Sequence, residues 1–179
     1  MLVSVKVAVN IHNTVNIKTS TANKLAEQLA QRLVAKKLIM ATAESCTGGW
    51  IAQFLTALAG SSVWFDTGFV TYSNEAKQRL LQVPSEFFAI DGPGAVSQET
   101  VLAMTQGAID NSRANIAVAV SGVAGPGGGS SEKQVGTVWI AWQWEDKAIA
   151  QCFSFGGDRE AVRLASVEAG LTGLLKLVT

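Results

Sequence analysis

Apolar residues recur every three or four positions in five stretches of the chain, which predicts five helices. The clearest covers residues 21–37, where three leucines spaced by four positions share one face and basic residues fill the last turn. The other four are predicted over residues 48–60, 73–81, 98–111 and 158–178. Ser73 and Ser97 stand at the start of two of them and are predicted N-caps.

Runs of β-branched, aromatic and other apolar residues predict strands between these helices. They cover residues 38–42, 62–72, 115–122, 135–144 and 148–155. A short polar "EDK" separates the last two and predicts a hairpin. Residues 3–17 alternate apolar and polar, which fits either a half-buried strand or an added terminal segment. Helices interleaved with strands predict a single three-layer α/β/α domain on a mixed, mostly parallel sheet.

The composition restricts the kind of protein. Of 179 residues, 48% are hydrophobic and 16% charged, which favours one packed domain over a disordered chain. Lys plus Arg and Asp plus Glu both total 14, and without a basic stripe we expect no nucleic-acid partner. No apolar stretch is long enough for a membrane span. Without a signal-peptide pattern, and with only Cys46 and Cys152, we expect a soluble cytoplasmic protein.

The single histidine restricts the chemistry further. His12 precedes every motif described below, so a catalytic pair that depends on histidine would have to recruit it. A zinc site built on histidines is equally disfavoured. A general base in this chain is therefore expected to be Lys, Tyr, Glu or Asp.

The stretch "AESCTGGW", residues 43–50, joins a predicted strand to a predicted helix through a tight polar turn. The free N–H groups at the start of that helix would face the turn and favour an anion or a developing oxyanion. The glycines would let a ligand approach the backbone. The plainer alternative is that Ser45 or Thr47 only caps the helix.

The stretch "TYSNEAK" places Tyr72 at the end of a strand and Lys77 one turn into the next helix. A lysine close to a hydroxyl acts as its base when partial burial lowers the pKa of the amine. The alternative is a solvated surface lysine with a tyrosine packed over the edge of the sheet.

Two further segments suggest ligand binding. The glycine-rich loop at 121–131 follows an apolar strand and would emerge at the ligand-binding edge of an open α/β sheet. It matches neither a P-loop nor the G-x-G-x-x-G pattern, and a flexible surface loop is the alternative. In "GGDRE", Arg159 near a helix start is suited to a phosphate, or is simply a surface residue.

Five motifs in order resemble one family: "TAESCTGGWIA", "GSSVWFDTGFVTYSNEAK", "GAVS", "SGVAGPGGGSSEKQVGTVWIA" and "FGGDRE". They are similar to the carboxy-terminal domain of the competence-damage-inducible protein CinA, which also occurs as a stand-alone nicotinamide mononucleotide amidohydrolase. The resemblance covers residues 21–179 and leaves 1–20 as an extension of unknown role.

The resemblance implies a sheet of about five strands, homo-oligomers, and no metal or organic cofactor. It implies hydrolysis of the carboxamide of nicotinamide mononucleotide to nicotinic acid mononucleotide and ammonia. The implied catalytic residues are Ser45, Tyr72 and Lys77. Candidates for contact with the rest of the substrate are motif residues: Thr47, Gly48, Gly122, Ala124, Gly125 and Arg159.

An amidase without a usable histidine needs another base, and Lys77 is the candidate. We hypothesise that neutral Lys77, helped by Tyr72, takes the proton of Ser45 as the hydroxyl attacks the carboxamide. The N–H groups at the start of the "TGGW" helix would hold the oxyanion. Cys46 is the rival nucleophile, because a thiol at a helix N-terminus often has a depressed pKa. A mononucleotide-binding or regulatory module without hydrolytic activity is the alternative function.

Overall fold

The computed structural model describes residues 20–179, in which five helices and five strands form one α/β unit. The helices are α1 (Ser20–Lys36), α2 (Trp50–Thr56), α3 (Asn74–Leu81), α4 (Gln98–Asp110) and α5 (Arg159–Leu177). The strands are β1 (Met40–Glu44), β2 (Phe65–Val70), β3 (Ile116–Gly122), β4 (Thr137–Trp144) and β5 (Lys147–Ser154). The predicted strand at 3–17 and His12 lie outside the described residues. Within residues 20–179, no helix is long and apolar enough to cross a membrane.

The predicted N-caps are confirmed. The Ser73 hydroxyl accepts a hydrogen bond from the N–H of Ala76, and the Ser97 hydroxyl accepts one from Thr100. Several predicted boundaries differ from the structure: the strand predicted at 38–42 is Met40–Glu44, and the one predicted at 135–144 begins at Thr137. Residues Ser61–Val63 form a short 3₁₀ turn, so β2 begins only at Phe65. The helix predicted at 48–60 is shorter in the structure. It begins at Trp50, because Gly48 and Gly49 belong to the turn before it, and it ends at Thr56.

The five strands lie in the order β2-β1-β3-β4-β5. β1 pairs in parallel with both β2 and β3, and β4 is antiparallel to both of its neighbours. Four strands therefore run in one direction and only β4 is reversed, which confirms the predicted mixed sheet.

The two faces of the sheet carry side chains of different size. Helices α1, α2 and α5 cover one face against large residues such as Ile116, Val118 and Val120 of β3. Helices α3 and α4 cover the other face, where β3 presents only the alanines at 117 and 119. Alternate residues of a strand point to opposite faces, so the "AVAV" pattern of β3 produces both surfaces.

This topology brings four predicted segments to one edge of the sheet: "AESCTGGW", "TYSNEAK", the glycine-rich loop and "GGDRE". The strands β1, β2, β3 and β5 all end there, at Glu44, Val70, Gly122 and Ser154. The strand order also reverses direction at β1, which is where open α/β sheets place their ligands. The motif after each strand is therefore held beside the others by the sheet itself.

A buried carboxylate fixes the junction between β1 and α2. Glu44 is 0% exposed, and its two oxygens accept hydrogen bonds from the N–H groups of Gly49, Ile51 and Ala52 at 2.9–3.1 Å. No side chain of the turn itself caps α2. The expectation that Ser45 or Thr47 is the cap is therefore wrong, since a longer side chain from the strand reaches the same N–H groups.

Replacing Glu44 tests how much this junction contributes to stability. In Glu44→Gln an amide NH₂ replaces one acceptor oxygen, so at least one buried N–H group loses its partner. We expect the free energy of unfolding to fall by about 2 kcal/mol, as measured by urea denaturation. The exposed Glu27 of α1 provides the matched control, since Glu27→Gln should leave stability unchanged. Equal stabilities of the two variants would contradict this role of Glu44.

Candidate active site

The end of β1 and the start of α3 bring together a serine and a lysine. Lys77 Nζ lies 3.0 Å from Ser45 Oγ and donates a second hydrogen bond to the Thr71 carbonyl at 2.8 Å. The N-cap at Ser73 starts α3, and Lys77 lies one turn further along, where its side chain points back to the end of β1. The expected proximity of the lysine to a hydroxyl is thus present in the structure.

Lys77 is not a solvated surface lysine. Its side chain is only 1% exposed, and this burial lowers the pKa of the amine from its ordinary value to about 8. The nearby Cys46 acts in the opposite direction and is the weaker influence. A substantial fraction of Lys77 is therefore neutral at mildly alkaline pH, as a general base must be.

Tyr72 and Arg159 form a second pair at the mouth of the site. Arg159 Nη2 donates to the Tyr72 hydroxyl at 2.8 Å, and Nη1 donates to the Gly125 carbonyl at 2.7 Å. Tyr72 is 59% exposed, and within the described chain it makes no hydrogen bond to Ser45 or Lys77. The helix start of α5 thereby joins the "TYSNEAK" motif to the glycine-rich loop.

A cavity of about 210 Å³ opens at this edge of the sheet. Several residues of the predicted catalytic and binding sets line it, and they come from four separate segments. The lining consists of Ser45, Cys46, Tyr72, Asn74, Lys77, Ala95, Val96, Ser121, Gly122, Ala124 and Arg159. A larger apolar groove of about 690 Å³ between β5 and α5 contains none of the predicted site residues. We place the chemistry in the smaller cavity, because only there do a hydroxyl and a buried base meet.

Cys46 lines the same cavity but is poorly suited to be the nucleophile. Burial raises the pKa of its thiol to about 11, and the Glu44 carboxylate acts in the same direction. The thiolate is the reactive form of cysteine, so it would be scarce at neutral pH. The depressed pKa considered for this thiol is wrong, because burial raises the pKa more than the neighbouring backbone N–H groups lower it.

The hydrogen bonds of Glu44 to the start of α2 also show that the expected position of the oxyanion site is wrong. The N–H groups of Gly49, Ile51 and Ala52 bind Glu44, while those of Gly48 and Trp50 donate to carbonyls of the turn. The first N–H groups of α2 are therefore not free to hold an oxyanion. The sequence shows that a helix begins here, but only the structure shows which acceptor its N–H groups have found.

Two N–H groups one turn earlier remain available. Those of Cys46 and Thr47 donate to no oxygen within residues 20–179. Both lower the pKa of the Cys46 thiol, against the larger effect of burial, and Cys46 itself lines the cavity. Cys46 directly follows Ser45, and in α/β-hydrolases the N–H of the residue after the nucleophile is one of the oxyanion donors.

The predicted binding residues separate into two groups. Gly122, Ala124 and Arg159 line the cavity, and Gly125 touches Arg159 through its carbonyl. Thr47 and Gly48 lie outside the lining. Thr47 is buried, and Gly48 has a φ of 64°, a left-handed conformation that the turn requires.

Sequence reasoning missed two residues of the site, Glu44 and Arg163. Arg163 Nε donates to the Cys46 carbonyl at 3.1 Å and Nη2 donates to the Thr47 carbonyl at 2.8 Å. Its position offered a signal, since it lies four residues after Arg159 and hence on the same side of α5. Glu44 offered a weaker one, as an acidic residue two positions after the strand predicted at 38–42; in the structure that strand extends to Glu44. No group of three or more potential metal ligands occurs in the part of the chain that the structure describes.

Comparison with known proteins finds bacterial enzymes of similar sequence. The chain is 53% identical over 155 residues to the nicotinamide-nucleotide amidohydrolase PncC of Pseudomonas putida, covering 87% of this chain and 96% of that protein. It is 52% identical over 143 residues to PncC of Escherichia coli K12, covering 78% and 84%.

Solved structures agree with the fold. The crystal structure of the competence/damage inducible protein CihA from Agrobacterium tumefaciens matches with a TM-score of 0.86 and 44% identity, over 89% of this chain and 97% of that chain. A model of the CinA C-terminal domain matches residues 22–178. The chain therefore belongs to the CinA C-terminal domain family.

Proposed function

We propose that this protein hydrolyses the carboxamide of nicotinamide mononucleotide to nicotinic acid mononucleotide and ammonia. The observation that carries the proposal is the buried contact of 3.0 Å between Lys77 Nζ and Ser45 Oγ, at the wall of a cavity. The names of the relatives in Pseudomonas putida and Escherichia coli supply the substrate.

In the first step, neutral Lys77 accepts the proton of Ser45 as Oγ attacks the carboxamide carbon. The hydrogen bond to the Thr71 carbonyl holds one N–H of the amine and so directs its lone pair towards Ser45. The carbonyl oxygen gains negative charge, and the N–H groups of Cys46 and Thr47 stabilise it.

In the second step, the tetrahedral intermediate collapses and the C–N bond breaks. Lys77 returns its proton to the leaving nitrogen, which departs as ammonia, and an acyl ester on Ser45 remains. Lys77 then takes a proton from water, the hydroxide attacks the ester carbon, and Ser45 recovers its proton. The product is the carboxylate of nicotinic acid mononucleotide.

The remaining cavity residues bind the substrate in this proposal. The cavity is smaller than the roughly 300–1,000 Å³ typical of sites for drug-sized ligands, so it holds the reacting ring while the ribose phosphate lies across the mouth. Arg159 supplies a cation there. Tyr72, which was predicted to help Lys77, contributes an aromatic wall and a hydroxyl instead, because its hydroxyl accepts from Arg159 and not from Lys77. Gly122, Ala124 and Gly125 bring backbone to the same side, and Thr47 and Gly48 act through the shape of the turn.

Removal of the base is the first test. Lys77→Met should lower kcat by about 10²–10⁴-fold, the usual contribution of a general base, as measured by ammonia release. Lys24→Met replaces an exposed lysine of α1 and should leave kcat unchanged. Near-normal turnover by Lys77→Met would contradict the assignment of the base, and binding without turnover by the wild type would favour a non-catalytic module.

The pH dependence follows from the same group. Protonated Lys77 is unable to accept a proton, so kcat of the wild type should rise with pH and level off above about pH 8. Ammonia release measured between pH 6 and pH 10 gives the midpoint. A midpoint near the ordinary lysine value of 10.5 would contradict the role of burial.

Stability gives a test of Lys77 that needs no substrate. The pKa of Lys77 is lower in the folded than in the unfolded chain. The buried charge therefore lowers the free energy of unfolding by its full amount below about pH 8. This cost disappears as the pH rises towards 10.5. Lys77→Met removes that cost. The gain in unfolding free energy of Lys77→Met over the wild type should therefore be larger at pH 6.5 than at pH 10, and a gain independent of pH would contradict the shift.

The two candidate nucleophiles are distinguished by alanine variants. Ser45→Ala should lose several orders of magnitude in kcat, as removal of a nucleophile does in serine hydrolases. Cys46→Ala keeps its backbone N–H and should retain most of the activity. Ammonia release measures both, and mass spectrometry of a quenched reaction should locate the acyl group on Ser45. An active Ser45→Ala beside an inactive Cys46→Ala would reverse the assignment.

A further inference from the structure

Arg163 holds the turn that follows the nucleophile from the side away from the cavity. Its guanidinium donates to the Cys46 carbonyl through Nε and to the Thr47 carbonyl through Nη2. The guanidinium carbon lies 4.8 Å from the centre of the Trp50 ring, at the first turn of α2. The forked donor therefore spans two successive peptide groups while its flat face rests on an aromatic ring.

The direction of the Cys46 carbonyl decides the direction of one of the two proposed oxyanion donors. In a trans peptide the C=O of one residue and the N–H of the next point in opposite directions. Because the Cys46 carbonyl points to Arg163, the N–H of Thr47 points away from Arg163. Ser45 and Cys46 line the cavity and Arg163 does not, so the N–H of Thr47 points away from Arg163 on the side of the turn where the cavity lies.

Arg163 has no substitute in this contact. Among residues 20–179, no other group donates to the Cys46 carbonyl, whereas the Thr47 carbonyl also accepts from the N–H of Trp50. The next residues, Gly48 and Gly49, both have left-handed backbone conformations, with φ of 64° and 91°. A turn that ends in two glycines has little stiffness of its own, so the peptide between Cys46 and Thr47 depends on Arg163.

We propose that Arg163 is a positioning residue that fixes the N–H of Thr47, one of the two proposed oxyanion donors. The inference rests on the proposed serine mechanism and adds a residue to it. Arg163 acts through the backbone and leaves Lys77 alone, since burial among other residues sets the pKa of that amine. Loss of Arg163 should therefore lower the rate of the chemical step without moving its dependence on pH.

The test compares Arg163→Ala with the wild type at pH values from 6 to 10. Loss of one oxyanion donor typically lowers kcat by about 10²-fold, and we expect that loss in kcat with KM and the pH midpoint nearly unchanged. Added methylguanidinium should restore part of kcat, because it fits the space left by the side chain. Arg113→Met, which removes an exposed arginine paired with Asp66 on another part of the surface, is the control and should keep full activity.

Two results would overturn the proposal: wild-type kcat in Arg163→Ala, or a loss that appears only in KM while circular dichroism shows the variant to be folded. Arg163→Lys keeps the charge but is unable to donate to both carbonyls at once, so its kcat should fall about tenfold. If Arg163→Ala does not fold, Arg163→Lys is the test of the proposal. Wild-type kcat in a folded Arg163→Lys would refute the role of Arg163.

A second readout separates this inference from the choice of substrate. A fluorophosphonate probe reacts with an activated serine through a charged transition state that uses the same N–H groups. Arg163→Ala should slow the labelling of Ser45, followed by mass spectrometry, about as much as it slows turnover. If the wild type is labelled but releases no ammonia from nicotinamide mononucleotide, the proposed function fails. The role of Arg163 is then tested only by comparing the labelling rates of Arg163→Ala and the wild type. If the wild type is not labelled at Ser45, the inference about Arg163 fails as well.

Discussion

The buried carboxylate of Glu44 is the interaction on which the site depends. It is the last residue of β1, and it binds three N–H groups at the start of α2. A buried charge is costly unless its oxygens are satisfied, and here the helix supplies the partners. Strand and helix are thereby held at a fixed separation, so the five residues between them have to form one tight turn, and Ser45 is the first of them.

Burial has a different consequence for Lys77, the lysine beside this turn. Glu44 is given partners that favour its charge, whereas the described partners of Lys77 are a hydroxyl and a carbonyl. Burial therefore lowers the pKa of the amine instead of being compensated by a carboxylate. Glu44 and Lys77 thus have different functions: the acid stabilises the structure, and the base is kept reactive at some expense of stability.

Much of the fold was predictable because it depends on local patterns. The helices with clear apolar periodicity and serine caps formed where expected, and so did the hairpin between β4 and β5. The short α2 was harder to predict, since its bounds depend on a cap that comes from the strand before it. The proximity of Ser45 and Lys77 could be expected only through a family resemblance, because they are 32 positions apart and belong to different layers.

The sequence by itself determined the types of element, the absence of any histidine after His12, and the motifs that would meet at the edge of the sheet. Only the tertiary structure decided which backbone N–H groups lack a partner among the described residues, which amine has a lowered pKa and which thiol has a raised one. Those properties depend on burial and on competition for hydrogen bonds between residues far apart in the chain. Glu44 and Arg163 illustrate this, because each acts on the turn after Ser45 through contacts that no local pattern specifies.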